Sequence, residues 1–569
     1  MIKPQLIRSV SIDFFNARNV FNITKIDDVI QIVNDLYEDT VQKIEEHNIT
    51  QIRDKKWKFP EALEPIQVAQ LMNKVFTLRN VITCEDDDED LGTLAIYIDD
   101  KVINLFGQKY EQYRGIYYSN EVFLKKIIRR ITSVEKSSYA DGVLTFLADE
   151  VESVHCTTDP DLIPVGNGIF DYRTKVLNQF SDRYVFLHKS PIPYVKTAKN
   201  VVIHNSDDNT DWDYESWVDT LSDDKEVIEL LKMFPSFLLR PNLAGKESRA
   251  LMLYGKAGNN GKSTLISLWR SILGHWWSAV SLSKIMDISN KFSLASLVGC
   301  QAILSDESET DFRVNGRATS STESLKLIIS NQQLTVEKKF HDPVPYTFRG
   351  FCCFALNDLP RISKSSANGS FFRRQLYIPF TKCFTGVERS YIRDDYLKRD
   401  EVLQYIVKVA LESNVYELPT PECSKILLDE VRLKNDVVYQ FYTELIETYE
   451  GSWTLLPFSF LYDLYKNWYV KNNPSGKLIG RNTFNDDLFW VVQKSDKWYC
   501  DDKERLIRVT KDNMNGPEPL ISEYHLDDWK SKTYKGNDIN KICVPVLATK
   551  YRGIQRVVTT PDADDGLDS

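Results

Sequence analysis

Cysteine and histidine are scarce in this chain, with nine and seven among 569 residues. The cysteines are irregularly spaced with no C-x-x-C pair, no H-E-x-x-H occurs, and no histidine stands at zinc-finger spacing from a cysteine. Neither a disulfide framework nor a structural zinc site is therefore expected. Cys352 and Cys353 are adjacent in an apolar run and read as core thiols. No uncharged apolar stretch approaches the roughly 18 residues of a membrane span, and the Met-Ile-Lys-Pro-Gln start lacks an apolar run ahead of a cleavage site. The expectation is a soluble, cytoplasmic protein.

Apolar residues make up 42% and charged residues 27% of the chain, which excludes a fully disordered, collagen-like or disulfide-stapled protein. The length predicts about three to five domains. The net charge of −10 argues at first against a nucleic-acid partner, but the average hides a division. Residues 251–400 hold 20 Lys or Arg against 13 Asp or Glu, a net +7, which leaves −17 to the other 419 residues. The middle of the chain is its basic part.

The helical pattern from Lys25 to Glu46 is the best in the first 90 residues, which end in the acidic run Glu85-Asp86-Asp87-Asp88-Glu89-Asp90. Six like charges in a row read as a solvated linker and mark a first boundary. Thr93–Ile98 reads as a strand, and Glu121–Val134 as a helix bearing Lys125, Lys126, Arg129 and Arg130. Asp99-Asp100 reads as a turn, because no second acidic cluster follows at a distance that would suit a metal pair. Ile163–Asp171 is a short strand broken by the Gly166-Asn167-Gly168 turn; residues 205–216, polar and acid-rich, suggest a second linker. Trp217–Leu239 is helical and stops at Arg240-Pro241-Asn242.

The chemistry concentrates after residue 249. Leu251-Met-Leu-Tyr254 is a buried strand, and the loop Gly255-Lys256-Ala257-Gly258-Asn259-Asn260-Gly261 leads into Lys262-Ser263-Thr264, the start of a run with helical apolar spacing. Strand, loop and helix in this order are what a phosphate-binding loop needs. Glycines let backbone N–H groups converge on phosphates, the helix N-terminus adds partial positive charge, Lys262 neutralises phosphate oxygens and Ser263 offers a hydroxyl to Mg²⁺. The usual pattern places its first glycine where Lys256 stands, so the loop is one residue longer than usual.

About forty residues on, Ala302-Ile-Leu-Ser305 ends in Asp306-Glu307. Beside a phosphate loop, Asp306 is suited to hold Mg²⁺ through its water shell and Glu307 to polarise the attacking water. Leu334–Glu337 and Val344–Phe348 read as two strand arms around Lys338-Lys339-Phe340-His341-Asp342-Pro343. That tip is either a solvated turn or a surface whose cations follow a phosphate backbone while Phe340 stacks. Asn357, ending the strand Phe351–Leu356, offers an amide to a γ-phosphate or to water. Arg373 and Arg374 precede another strand and suit transition-state charge on a neighbour's γ-phosphate.

Taken together, Gly-Asn-Asn-Gly-Lys-Ser-Thr, Asp306-Glu307, the stretch from Leu325-Lys326 through the Lys338–His341 hairpin to Asn357, and Phe371-Phe-Arg373-Arg374 with Ile378-Pro-Phe380 resemble the superfamily 3 helicases of the AAA+ class, in particular the poxvirus-type and phage or plasmid primase–helicases. Upstream, Pro164–Asp171 is similar to their helicase-associated domain. Downstream, Val437–Thr510, with Phe460–Trp468 and Arg481–Phe484, is similar to their small winged-helix-like domain. The resemblance covers about residues 91–510. It implies an α/β fold with an AAA+ P-loop core, ATP and Mg²⁺ as cofactors, single-stranded DNA as partner and a ring, commonly a hexamer, with the hairpins lining its channel. It further implies an arginine finger acting across the subunit boundary, with a lean towards Arg374.

The organisation expected is an N-terminal part over 1–90, a helicase-associated domain over 91–240, the ATPase over 241–400, a winged-helix-like domain over 401–512 and an extension with an acidic tail over 513–569. Too little chain precedes residue 91 for a primer-synthesising module, so the expected function is an ATP-dependent replicative DNA helicase of a virus, phage or mobile element, working at a fork or origin, with a primase or polymerase as possible partner. The alternatives are an origin-binding initiator whose ATPase controls assembly, and a non-replicative NTPase switch.

Overall fold

Val29, Val33, Leu36, Thr40 and Ile44 recur every three or four positions and close one face of the helix Ile26–Ile49, which is the spacing of an amphipathic helix. It is the helix expected from Lys25 onward. The computed structural model describes residues 3–18, 23–83, 92–287, 292–308, 313–314, 317–318, 322–337, 343–360, 369–472 and 478–557. Two compact units emerge, one reaching Leu428 and the other starting at Asp429. Among the described residues no helix is long and apolar enough to cross a membrane.

In the first unit, Ile26–Ile49 joins the helices Lys3–Ala17, Pro65–Val75, Glu121–Thr132 and Ser137–Glu150 around one core that runs from Val10 to Val151. Beside them lies a four-stranded sheet in the order Tyr117–Tyr118, Thr93–Tyr97, Leu78–Ile82, Ser153–His155. The acidic run Glu85–Asp90 lies outside the described residues. The strands on either side of it, Leu78–Ile82 and Thr93–Tyr97, pair antiparallel with Leu78 opposite Ile96. The boundary expected at residue 90 therefore falls inside one sheet, because a strand's N–H and C=O groups need a neighbour and here the neighbour comes from beyond the boundary. Asp99 turns out to be a helix cap, its carboxylate accepting the Val102 N–H at 2.8 Å.

The expected linker at 205–216 is also packed structure. Ile203–Asn205 and Thr210–Trp212 form a hairpin, Asp208 accepts the Thr210 hydroxyl, and Asp213 caps the helix Tyr214–Asp219. Trp212, Tyr214 and Trp217 reach the main core. The acids that suggested a linker hold turns, which is what Asp does at caps and Asx-turns.

The main core surrounds a five-stranded parallel sheet. Its strands are β1 (Ala250–Tyr254), β2 (Trp277–Ser278), β3 (Ala302–Ser308), β4 (Phe351–Leu356) and β5 (Gln375–Pro379), in the spatial order β2-β3-β4-β1-β5. The near-continuous apolar runs of β1 and β4 match a sheet covered on both faces. The helix Lys262–Leu273 packs its Leu265, Ile266, Trp269 and Ile272 into this core, where Trp269 lies 4.6 Å from the Phe234 ring of Lys225–Leu238. A fully buried Trp of this kind is worth about 3–5 kcal/mol as judged by truncation. Cys352 and Cys353 are buried on β4, where burial pushes both thiols up. The helix Asp400–Glu412 places Val402, Leu403, Ile406 and Val407 in the same core. The boundary expected at 400 thus divides one packed body.

The second unit builds its core from Phe441, Trp453, Phe460, Tyr465, Phe484 and Trp498. Its helices Val437–Phe441, Phe458–Asn472 and Arg481–Val492 accompany a three-stranded antiparallel sheet ordered Leu455–Pro457, Gly553–Arg556, Trp498–Tyr499. The middle strand comes from beyond residue 512, so the expected end of this domain moves to at least Arg556. No local pattern announces it, since only the pairing of Ile554 with Leu456 gives that short strand its place. The acidic tail from 558 lies outside the described residues.

Candidate functional site

The loop between β1 and Lys262–Leu273 leaves the C-terminal edge of the sheet. Gly255 N–H donates to Leu356 O at 3.1 Å, tying the loop's first residue to the end of β4. A Cβ on Gly255 would sit 2.6 Å from Phe380 O and 3.1 Å from Lys262 Nζ, so only glycine lets these backbones approach. Lys256, Ala257, Gly258 and Asn259 are exposed, while Asn260 is buried and donates from Nδ2 to Ala257 O at 2.7 Å, closing the loop on itself. Gly261, at φ +88°, turns the chain into the helix, whose first residues are Lys262, Ser263 and Thr264.

Lys262 is buried beneath this loop, with Nζ donating to Gly255 O at 2.8 Å. Burial lowers its pKa to about 8. Ser263 is exposed and Thr264 half-buried. The loop is steadied from a segment the sequence did not single out: Asn259 O accepts the Phe384 N–H at 2.8 Å, and Asn259 Nδ2 donates to Glu388 Oε1 at 2.9 Å. Beside the loop lies a cavity of about 530 Å³ walled by Trp217, Leu221, Gly261, Thr264, Phe384 and Ile392. An apolar cleft against a loop of free N–H groups can hold a flat apolar group with phosphates attached. Trp217 and Leu221 stand four apart in the sequence, but nothing local joins them to Phe384.

Asp306 lies near the end of β3, where the pairing with β4 shifts register between Ser305 and Ser308. Its carboxylate takes a two-pronged bond from Arg270, at 2.9 and 3.0 Å, and this guanidinium holds the carboxyl below its ordinary range. Arg270, on the helix that Lys262 begins, also donates to Leu304 O at 2.6 Å and lies 4.3 Å from the Trp277 ring. The sequence reading missed Arg270, which sits eight residues after Lys262 on the same helix. Glu307 belongs to the same strand. Asn357 follows β4 at the sheet edge that carries Gly255, and its side chain is exposed.

Arg373 and Arg374 occupy the opposite edge. Ala250 N–H donates to Arg374 O at 2.8 Å, at the start of β1 and β5, so a five-residue strand, on the order of 15 Å, separates them from the phosphate loop. Arg374 is spoken for: Nε donates to Ser330 Oγ at 2.8 Å and one terminal nitrogen to Ser370 O at 2.6 Å. Burial, and then Arg373 beside it, lowers its pKa. Arg373 is exposed. These bonds weigh against the lean towards Arg374 as a finger, because a guanidinium already bonded within its own chain has fewer donors left for a neighbour's phosphate.

The expected hairpin arms pair as Gln333–Val336 with Val344–Thr347, Val336 opposite Val344. Its tip residues Lys338, Lys339, Phe340 and His341 lie outside the described residues. Among the described residues no group of three or more His, Cys, Asp or Glu could hold a metal by itself.

Residues 25–223 match the family model described as D5 N terminal like, residues 253–374 a family of unknown function, DUF5906, and residues 433–531 the model described as Poxvirus D5 protein-like. No curated protein matches. Among solved structures, the A form apo structure of the NrS-1 C terminal region is similar at 15% identity and a TM-score of 0.41, over 87% of this chain and 99% of that one. A second apo structure of that region stands at 14% and 0.40, over 76% and 90%. A ligand-bound JCV helicase stands at 14% and 0.22, over 35% and 51%.

Proposed function

We propose that this chain, which resembles the poxvirus D5-type primase–helicases on both sides of its phosphate loop, is an ATP- and Mg²⁺-dependent DNA helicase of a replication system. The observation that carries the reading is Lys262, buried at a helix start with Nζ on Gly255 O, under an exposed loop flanked at the same sheet edge by Asn357. The strand order β5-β1-β4-β3-β2, with the phosphate-loop strand inside the sheet, supports an AAA+ core of the superfamily 3 kind. In the second unit, a three-stranded sheet closed by its last strand supports a winged-helix-like domain.

In this reading residues Gly255–Thr264 hold the triphosphate of ATP, and the base lies in the cleft of Trp217, Leu221 and Phe384. The donor set suits Mg²⁺: the Ser263 hydroxyl is exposed, and Asp306, positioned by Arg270, keeps lone pairs on both carboxylate oxygens that would hold the ion through its water shell. When bound, the ion offsets charge on the phosphate oxygens. Glu307 orients and polarises the attacking water, Asn357 senses the γ-phosphate, and Arg373 of one subunit completes the site of the next. The distance between the two sheet edges supports that last role, and the assembly is read here as a ring, a hexamer. The Lys338-Lys339-Phe340-His341 tips face single-stranded DNA in its channel, their cations on phosphates and Phe340 on a base.

Lys262→Ala is expected to abolish ATP hydrolysis with assembly retained, and with it strand displacement on forked DNA. Hydrolysis by that variant at the unaltered rate with DNA present would overturn the site. ATPase activity in the unaltered chain without strand displacement would favour the origin-binding initiator instead.

A further inference from the structure

The helix Glu121–Thr132 carries cations that, among the described residues, have no acidic partner. Phe123, Leu124, Ile127, Ile128 and Ile131 are buried in the N-terminal core, and Lys126, Arg129 and Arg130 stand exposed at the i, i+3, i+4 spacing that places them on one face. Lys109, from the turn Gln108–Tyr113, brings a fourth cation against Lys126. The two ammonium groups repel, and Lys109, then burial, then Arg130 hold the Lys126 pKa below its ordinary value.

Neighbouring cations are neutralised. Lys125 is paired with Glu121 and Asp141, each at 2.5 Å, and Arg114 with Glu111 at 2.6 Å and with Asp100. Among the described residues none of Lys109, Lys126, Arg129 and Arg130 has an acid within ion-pairing distance. Four unpaired like charges held together cost stability in the free protein, and an anionic ligand would relieve that cost.

We infer that Lys109, Lys126, Arg129 and Arg130 form a docking surface for the phosphate backbone of duplex DNA, apart from the single strand in the channel. The inference rests on the helicase reading and adds a contact to the duplex still to be opened. A duplex fits better than a single strand because the rings directly under Lys109 and Arg130, Tyr110 and Phe106, are buried and offer no base a stacking surface. It fits better than a membrane because the apolar face of this helix already lies in the protein core, whereas an interfacial helix needs that face for lipid. Contacts made by charge alone position DNA without reading its sequence.

The test uses the full chain without nucleotide, with fluorescent 20-base-pair duplexes of unrelated sequence and a single strand of equal length, titrated by anisotropy across a salt series. Replacing Lys109, Lys126, Arg129 and Arg130 with Ala is expected to weaken duplex binding at least tenfold at low salt. The slope of log affinity on log salt should flatten by about 3 to 4, the value for roughly four phosphate contacts. Single-strand binding and DNA-free ATPase activity should stay as they were, and the melting temperature should hold or rise. A Lys109→Arg, Lys126→Arg variant should keep duplex binding. Unchanged duplex affinity and slope in the alanine variant would overturn the inference, as would an equal loss on the single strand, or loss on anionic phosphatidylserine vesicles with duplex binding intact. An ATPase-inactive unaltered chain would instead count against the helicase reading.

Discussion

Lys262 is desolvated before any phosphate reaches it, and that has a sign. Its folded pKa of about 8 lies below the ordinary lysine value, so the penalty for burying its charge acts in full below pH 8 and fades as the pH rises from there. Phosphates favour the charged form. The kcat/KM for ATP is therefore expected to be level below about pH 8 and to fall up to tenfold per unit above it, since this ratio follows the free enzyme. A profile flat to pH 10 would show that Lys262 does not meet the nucleotide. The two arginines divide in the same way. Arg373→Ala should lower hydrolysis by about a thousandfold or more with no change in melting temperature. Arg374→Ala should lower stability by about 1.5–3 kcal/mol, from its lost bonds to Ser330 and Ser370. Equal effects of both on hydrolysis, read in a coupled ATPase assay alongside melting, would remove the distinction.

At the scale of elements, what could be read in advance follows chemistry that is local. A strand, a glycine-bearing loop and a helix in succession specify the phosphate loop, because each part is set by neighbours a few residues away. Alternating arms around Lys338–Asp342 specify a hairpin in the same way. Replacing Lys338, Lys339 and His341 together should reduce DNA-stimulated ATPase severalfold while basal ATPase stays within about twofold, since a tip reaching DNA acts through DNA. Equal loss of both rates would mean a folding defect. The misreadings at 205–216 and at the three boundaries have one cause. Acids at Asp208 and Asp213 look like a linker until the turns they cap are known, and the strands Leu78–Ile82 and Gly553–Arg556 find partners that only the folded chain brings near.

For the molecule as a whole, the division into a basic middle and an acidic remainder fits the proposed ring, with the basic part towards DNA. The separation of Arg373 from the phosphate loop makes a sharper demand. If each site takes its arginine from a neighbour, Lys262→Ala and Arg373→Ala chains, each inactive alone, should recover part of the ATPase when mixed. Some mixed interfaces then unite an intact Lys262 with an intact Arg373. Electron micrographs with single-stranded DNA and a non-hydrolysable ATP analogue should show rings for both variants. Mixing without recovery would place the whole site in one chain.

The sequence by itself determined the strand, loop and helix around Gly255–Thr264, the acids at the end of β3, the amide after β4 and the hairpin arms, because short-range spacing of residue types carries all four. Only the tertiary structure decided which arginine is free, that Arg270 grips Asp306, that Phe384 closes a cleft on Trp217 and Leu221, and where the units end. Those outcomes depend on contacts between residues far apart in the chain, and no local pattern records a contact whose two halves are specified separately.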